Sequence, residues 1–155
     1  MNPTLFTLAS LRPAIVEIAL ATGICLLLLV DVYAGSTRRQ LTGSMALLVL
    51  AACAWLGATL GMVPQRVMLF DGLYVADRLA LFVKLAAFLA AGLGLFYSQG
   101  YLERRGIRGG EYHVLVLTAL LGICVLASAG SLLTVYLGVE LLSLSMYALV
   151  AFDRG

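Results

Sequence analysis

The chain has 155 residues, of which 63% are hydrophobic and only 12% are charged. Soluble domains are about 45–50% apolar and about 25% charged, so the composition excludes a soluble domain and indicates an integral membrane protein. The formal net charge of +2 comes without a basic patch of interleaved aromatic residues, which argues against a nucleic-acid partner.

Five apolar runs, taken in chain order, predict an all-α polytopic fold with five transmembrane helices in a single membrane domain over residues 1–155. They cover residues 14–33, 41–62, 79–98, 112–129 and 132–152. Pro13 suits the first turn of the first helix. Only Gly130 and Ser131 join the last two helices, which must therefore be antiparallel neighbours, with Ser131 as the N-cap of the fifth.

Two of the connecting loops have distinctive compositions. Within residues 63–78, two apolar stretches at 67–70 and 73–75 flank Asp71 and Gly72, which predicts a short hairpin around a two-residue turn. The loop from Gln99 to Glu111 mixes four glycines with charged residues. This composition predicts an exposed and mobile connection.

The arginines are unevenly divided between the two sides of the predicted membrane domain. One side carries Arg38, Arg39, Arg104, Arg105, Arg108 and Arg154, and the other carries Arg12, Arg66 and Arg78. Because cytoplasmic loops carry the excess of positive charge, the first side is expected in the cytoplasm. The N-terminus is then outside and residue 155 inside.

Glu140 is the strongest candidate functional residue, because it lies near the middle of the fifth apolar run. A charge there costs about 2.5–3.5 kcal/mol on insertion scales and usually marks a proton relay or an ion site. At helical spacing Tyr136, Ser143 and Tyr147 share its face, as weaker candidates for the same pathway. The alternative is a structural carboxyl that is hydrogen-bonded to a neighbouring helix.

Lys84 is a second candidate for proton translocation, about 7–8 Å inside the outer end of the third span by helix rise. Two interpretations remain open. Its side chain can extend outward to the membrane interface, or it can bridge to Glu140 if the two helices touch.

The other ionisable and sulfur-containing residues favour structural roles. Glu17 lies where it can complement the N-terminus of the first helix, Asp31 is near Arg38 and Arg39 and predicts an interfacial ion pair, and His113 is interpreted as a satisfied boundary residue. The three cysteines match no metal or redox spacing and are predicted to be small buried hydrophobes. We therefore expect no catalytic residue, metal site or cofactor in this chain.

The fifth span also carries a family resemblance. Residues 131–149, SLLTVYLGVELLSLSMYAL, and the preceding residues 126–129, LASA, resemble the subunit N family of bacterial NADH-quinone oxidoreductase (respiratory complex I), an antiporter-like membrane family. Further matching features are residues 110–112, GEY, residues 70–73, FDGL, and Asp77 shortly before residues 82–84, FVK. The likeness covers essentially the whole chain, and the Glu140 segment is its most specific part.

The resemblance implies a non-redox membrane subunit that contributes to proton translocation coupled to quinone reduction. Glu140 matches a family glutamate that pairs with a lysine on a later helix. Flavin, iron–sulfur clusters and quinone would belong to partner subunits, and the partners would be other membrane subunits and the lipid bilayer. The family continues for about nine more helices, so this chain is expected to be an N-terminal portion of a longer one.

Two other functions are compatible with the same residues. The first is a subunit of a multi-subunit cation/proton antiporter, which the Glu140 segment alone separates poorly from the subunit N family. The second is a small structural membrane protein with no transport role.

Overall fold

The computed structural model describes residues 12–34, 39–61, 66–105 and 110–152. These ranges contain five α-helices: α1 (Ile15–Ala34), α2 (Arg39–Leu60), α3 (Arg78–Arg105), α4 (Glu111–Ala127) and α5 (Leu132–Phe152). A 3-10 helix at Arg12–Ala14 leads into α1, and an antiparallel pair, β1 (Val67–Leu69) and β2 (Tyr74–Ala76), separates α2 from α3. The predicted all-α polytopic membrane fold is confirmed.

The helices follow from the apolar runs, because backbone polar groups in hydrocarbon must be satisfied within the segment that crosses it. Within the described ranges, α1, α2, α3 and α5 are long and apolar enough to cross a membrane. The fourth helix is apolar but has only 17 residues. At 1.5 Å of rise per residue it is about 25 Å long, slightly less than a hydrocarbon core of about 30 Å.

The third helix is longer than the sequence predicted. It runs to Arg105, seven residues beyond residue 98, so the prediction of a mobile loop from Gln99 is wrong for residues 99–105. Leucine, glutamate and arginine are strong helix formers, and together they outweigh the cost of Gly100. In the remainder of that predicted loop, residues 106–109 lie outside the described part of the chain, and Gly110 and Glu111 form the start of α4.

The outer hairpin is present, but its turn differs from the prediction. Val67 pairs with Ala76, Met68 with Val75 and Leu69 with Tyr74, so four residues, 70–73, join the strands instead of two. Positive φ angles occur at Phe70 (55°), Asp71 (53°) and Gly72 (89°). The Asp-Gly pair marked the turn correctly, but the left-handed conformation begins one residue earlier.

Side-chain oxygens cap two of the helices. The amide of Ala80 donates to Asp77 Oδ1 at 2.6 Å at the start of α3. The amide of Thr134 donates to Ser131 Oγ at 3.3 Å at the start of α5, which confirms the predicted N-cap.

Helices α1 to α4 share one apolar core. The residues that α1 contributes, Val16, Leu20, Ile24 and Leu27, recur at helical spacing and are at most 7% exposed. The other helices fill the core with Ala46, Leu50, Cys53, Phe88, Leu95, Val114, Leu117, Leu120 and Cys124. Cys53 and Cys124 are thus buried as expected, whereas Cys25 is exposed and that part of the cysteine prediction is wrong.

The fifth helix packs against α4 through glycines. A Cβ on Gly122 would lie 2.9 Å from the backbone nitrogen of Leu142, and a Cβ on Gly138 would lie 2.7 Å from Leu126 Cγ. The two backbones therefore approach more closely than side chains at these positions would allow. The short connection between α4 and α5 predicted this antiparallel pairing. The close contact between the two helices fixes which face of α5 is turned toward the bundle.

The hairpin is hydrogen-bonded to the connection between α4 and α5. Val75 N donates to the Ser128 carbonyl at 2.8 Å, and Gly130 N donates to the Leu73 carbonyl at 3.0 Å. The Leu73 carbonyl also accepts a bond of 2.8 Å from Thr134 Oγ1 on α5. The hairpin is therefore a structured cap over the end of the bundle where α5 begins.

Candidate functional site

Glu140 is the ninth residue of α5, about 13 Å from the start of the helix by helix rise. The helix is continuous from Leu132 to Phe152, so Tyr136, Ser143 and Tyr147 lie along the same face as Glu140. That face is turned away from α4. Glu140 is exposed, and the side chains of Tyr136 and Tyr147 are 62% and 71% exposed.

The Glu140 carboxylate has no ion pair or hydrogen bond with any residue in the described ranges. The two serines on α5, Ser143 and Ser145, both donate to backbone carbonyls of their own helix, at Val139 and Leu141. Both serine hydroxyls therefore donate within α5, and neither of them donates to the Glu140 carboxylate. An ionisable group at mid-depth on an unpartnered face needs a cation, a proton or water next to it.

A second ionisable cluster lies at the end of the bundle that the hairpin covers. The Nζ of Lys84, on α3, forms an ion pair with the Glu17 carboxylate of α1. It also donates to the Tyr74 hydroxyl at 3.0 Å and lies 5.2 Å from the centre of the Tyr74 ring. The side chains of Lys84 and Glu17 are 6% and 12% exposed, so this is a buried ion pair.

The bridge from Lys84 to Glu140 that the sequence suggested is wrong, because the ion-pair partner of Lys84 is Glu17. The Lys84 side chain is buried under the hairpin, and its extension to the membrane interface stays a prediction. The physical reason for the pairing with Glu17 is that the hairpin folds over this end of the bundle and places Tyr74 between α1 and α3. Its hydroxyl lies 2.7 Å from the Pro13 carbonyl and 3.2 Å from both Glu17 carboxylate oxygens.

The Tyr74 hydroxyl links the two charges of this pair. Burial and the neighbouring Glu17 carboxylate raise the pKa of the Tyr74 phenol above its ordinary value. Tyr74 therefore remains protonated at physiological pH, and it can accept from Lys84 while it donates to Pro13 or Glu17. The three residues form a closed network with a partner for each polar group.

Through β2, this outer network is connected to the helix that carries Glu140. Tyr74 follows Leu73, whose carbonyl accepts from both Gly130 and Thr134. Thr134 precedes Glu140 by six residues, or about 9 Å of helix rise. The network and the Glu140 face are thus two separate ionisable sites connected through the hairpin cap.

The sequence did not predict Tyr74 or Glu17 as site residues. One signal was available, since Glu17 and Lys84 are opposite charges at comparable depth from the same side of the membrane. Tyr74 could be found only through the hairpin, because it is 57 residues from Glu17 in the chain.

At the end of the bundle opposite to the hairpin, Asp31 accepts a hydrogen bond of 3.4 Å from Thr42 Oγ1. The ion pair predicted for Asp31 involves Arg38 and Arg39, whose side chains lie outside the described residues. His113 is 8% exposed, and neither ring nitrogen has a hydrogen-bond partner among the described residues, so the interpretation of His113 as a satisfied boundary residue stays a prediction. In the described residues no three His, Cys, Asp or Glu side chains form a group that could hold a metal ion.

Comparison with curated proteins identifies the resemblance. The chain is 41% identical over 146 residues to NADH-quinone oxidoreductase subunit N of Laribacter hongkongensis, which covers 94% of this chain and 30% of that protein. It is 47% identical over 141 residues to the subunit N of Acidithiobacillus ferrooxidans, with 91% and 29% covered. The chain is similar to subunit N along nearly its whole length.

The similarity extends to subunit N of Nitrosomonas europaea, at 41% identity over 150 residues. These matches confirm the resemblance that the Glu140 segment predicted. The chain spans about 30% of the length of the curated subunit N proteins it matches. No family model matches the chain.

Proposed function

We propose that this chain is part of a membrane subunit of a proton-pumping NADH-quinone oxidoreductase and that Glu140 takes part in proton translocation. The observation that carries the proposal is an exposed carboxylate at mid-depth on α5, with no partner in the described residues. The relatives supply the class of enzyme complex, since each is named NADH-quinone oxidoreductase subunit N.

In this proposal Glu140 works by changing its charge state. Burial in a low-dielectric environment favours the protonated carboxyl, and an approaching cation favours the carboxylate. A movable cation on a helix packed against the Glu140 face would therefore make the carboxylate bind and release a proton. The family resemblance implies a lysine in that role, contributed by a later helix of a longer chain.

The aromatic residues beside Glu140 have a supporting role in the proposal. Tyr136 and Tyr147 lie one turn before and about two turns after Glu140 on the same face. Their hydroxyls can donate to and accept from water or a carboxylate, so they can extend a polar path along the helix. Ser143 is a weaker candidate for this polar path, because its hydroxyl already donates to the Val139 carbonyl.

The remaining parts of the proposal concern partners and location. Electron transfer from NADH to quinone, with its flavin and iron–sulfur clusters, would occur in partner subunits, and this chain would contribute no redox group. The exposed apolar surfaces of α3 and α5 would meet lipid or neighbouring membrane subunits. The membrane would be the bacterial inner membrane, with the hairpin outside and the arginine-rich loops in the cytoplasm.

Replacing Glu140 in the full-length subunit of the assembled complex tests the proposal. Glu140→Gln removes the titratable group at nearly constant shape and should strongly lower proton pumping into inverted vesicles, whereas Glu140→Asp should retain part of it. The matched control is Glu111→Gln, an exposed carboxylate at the start of α4, which should leave pumping unchanged. Normal pumping by an assembled Glu140→Gln complex that oxidises NADH would favour a purely structural role.

A further inference from the structure

The inner end of the bundle contains a polar cluster to which each of the first four helices contributes. Asp31 comes from α1, Thr42 from α2, Gln99 from α3 and His113 from α4. Thr42 is 2% exposed and His113 is 8% exposed, while Asp31 and Gln99 are half-buried. This inner cluster is separate from both Glu140 and the Glu17–Lys84 pair at the outer end.

His113 is the residue in this cluster that requires an explanation. Neither Nδ1 nor Nε2 has a hydrogen-bond partner in the described residues, although more than nine-tenths of the side chain is buried. A neutral imidazole has one donor and one acceptor nitrogen, and each loses its solvation on burial. Buried polar groups without protein partners are ordinarily satisfied by ordered water.

The polar atoms of the cluster lie close to two glycines. A Cβ on Gly43 would lie 3.2 Å from Gln99 Nε2 and 3.2 Å from His113 Nε2, so the side-chain amide and the imidazole ring both lie against α2 at Gly43. On the neighbouring helix end, the Asp31 carboxylate lies directly against Gly110, where a Cβ would collide with Oδ1. Gly110 precedes His113 by three residues, which is one turn of helix.

We propose that this inner cluster is a water-binding site in which ordered water bridges the ring nitrogens of His113 to Asp31 and Gln99. A buried water needs two to four polar partners. The cluster supplies a carboxylate that accepts, an amide that donates and accepts, and an imidazole that does both. The Thr42 hydroxyl donates to Asp31 and holds one wall of the site.

The sequence could not reveal this site, because the predicted third helix ended before Gln99. The additional helix to Arg105 turns Gln99 from a loop residue into part of the packed end of α3. The site places exchangeable hydrogens inside the bundle at the end opposite to the hairpin. It does not depend on the role proposed for Glu140.

Water-edited solid-state NMR of the full-length subunit, labelled with ¹⁵N-histidine, tests the proposal. The His113 signal is identified as the one lost in His113→Asn. Its ring nitrogens should receive magnetisation from water as fast as a hydrated side chain does, despite the burial of the ring. Transfer as slow as that to dry core groups would overturn the proposal.

A second variant addresses the geometry of the site. Gly110→Ala should displace the Asp31 carboxylate and remove the water transfer to His113, while Gly94→Ala should leave it unchanged, since a Cβ at Gly94 meets nothing within 4 Å. Thermal unfolding of both variants checks that the bundle still forms. Unchanged transfer in a folded Gly110→Ala subunit would contradict the bridging role of Asp31.

Discussion

Lys84 is the only lysine in the chain, and its charge is almost completely buried. Removing a cation from water costs several kcal/mol, which a partner charge and additional hydrogen bonds must offset. Glu17 supplies the charge and Tyr74 supplies the hydrogen bond. The two partners come from different parts of the chain, so this network fastens α1, α3 and the hairpin together.

Removing one partner of a buried ion pair destabilises a protein more than replacing both partners, which leads to a prediction for Glu17 and Lys84. Glu17→Gln or Lys84→Met alone should destabilise the folded subunit by about 3–5 kcal/mol, because each leaves an uncompensated buried charge. The double variant should be more stable than either single variant. Thermal unfolding in detergent, analysed as a double-mutant cycle, measures the coupling.

Asp71→Asn provides the control for that cycle, since Asp71 is exposed at the tip of the hairpin. It should change stability by less than about 0.5 kcal/mol, as surface substitutions usually do. If the losses from Glu17→Gln and Lys84→Met simply add in the double variant, the two residues do not form a coupled pair.

Helix α5 depends on α4 for nearly all its packing, and glycines make that contact possible. A Cβ on Gly122 would lie 2.9 Å from Leu142 N and 3.1 Å from the Gly138 carbonyl oxygen, both of them backbone atoms. A flexible side chain could move aside, but a helix backbone cannot do so without shifting the whole element. The position of Glu140 relative to the bundle is therefore set by this contact.

Gly122→Ala should consequently destabilise the subunit by about 1–3 kcal/mol through overpacking. Gly94→Ala on α3 is the matched control, because it adds the same methyl group in open space. Alanine is favoured over glycine in a helix by about 1 kcal/mol, so the control should be neutral or slightly stabilising. Equal effects of the two substitutions on the unfolding temperature would contradict the close contact between α4 and α5.

The sequence predicts elements well here because the membrane simplifies the problem. A run of about 20 apolar residues has to form a helix in hydrocarbon, so four of the five helices were recognisable from length alone. Ser131 was found as an N-cap because it directly precedes the fifth apolar run, although the connection from α4 has four residues, 128–131, instead of the predicted two. Asp71 and Gly72 marked the hairpin.

The sequence does not predict which residues meet between elements. The ion pair between Glu17 and Lys84 requires Tyr74 to be folded over the bundle, and the inner cluster requires α3 to continue through Gln99. Both depend on three-dimensional packing instead of local pattern. Glu140, in contrast, could be recognised from the sequence, because a charged carboxylate in a membrane span costs free energy whatever its neighbours are.

At the scale of the whole molecule, the described helices form a four-helix bundle with α5 attached to one side. Large apolar side chains on α5 remain exposed, among them Leu132 at 88% and Leu133 at 59%. Water cannot cover such a surface without a large hydrophobic cost. Lipid or further protein must therefore surround this helix, and the Glu140 face is part of that surface.

The length of the relatives predicts the mass of the native polypeptide. The chain corresponds to 16.5 kDa and spans about 30% of the curated subunit N proteins. We expect the polypeptide isolated from the native membrane to have about three times this mass. Intact-protein mass spectrometry of the purified complex measures it directly, and a species of 16.5 kDa would instead indicate a short protein.

If Glu140 changes its protonation state during turnover, as proposed, difference infrared spectroscopy of the assembled complex should detect the change. The spectrum of the complex oxidising NADH, minus that of the resting complex, should contain a protonated-carboxyl band. We predict that Glu140→Gln removes this band and that Glu111→Gln retains it. Difference spectra that are identical for the wild-type and Glu140→Gln complexes would contradict the account.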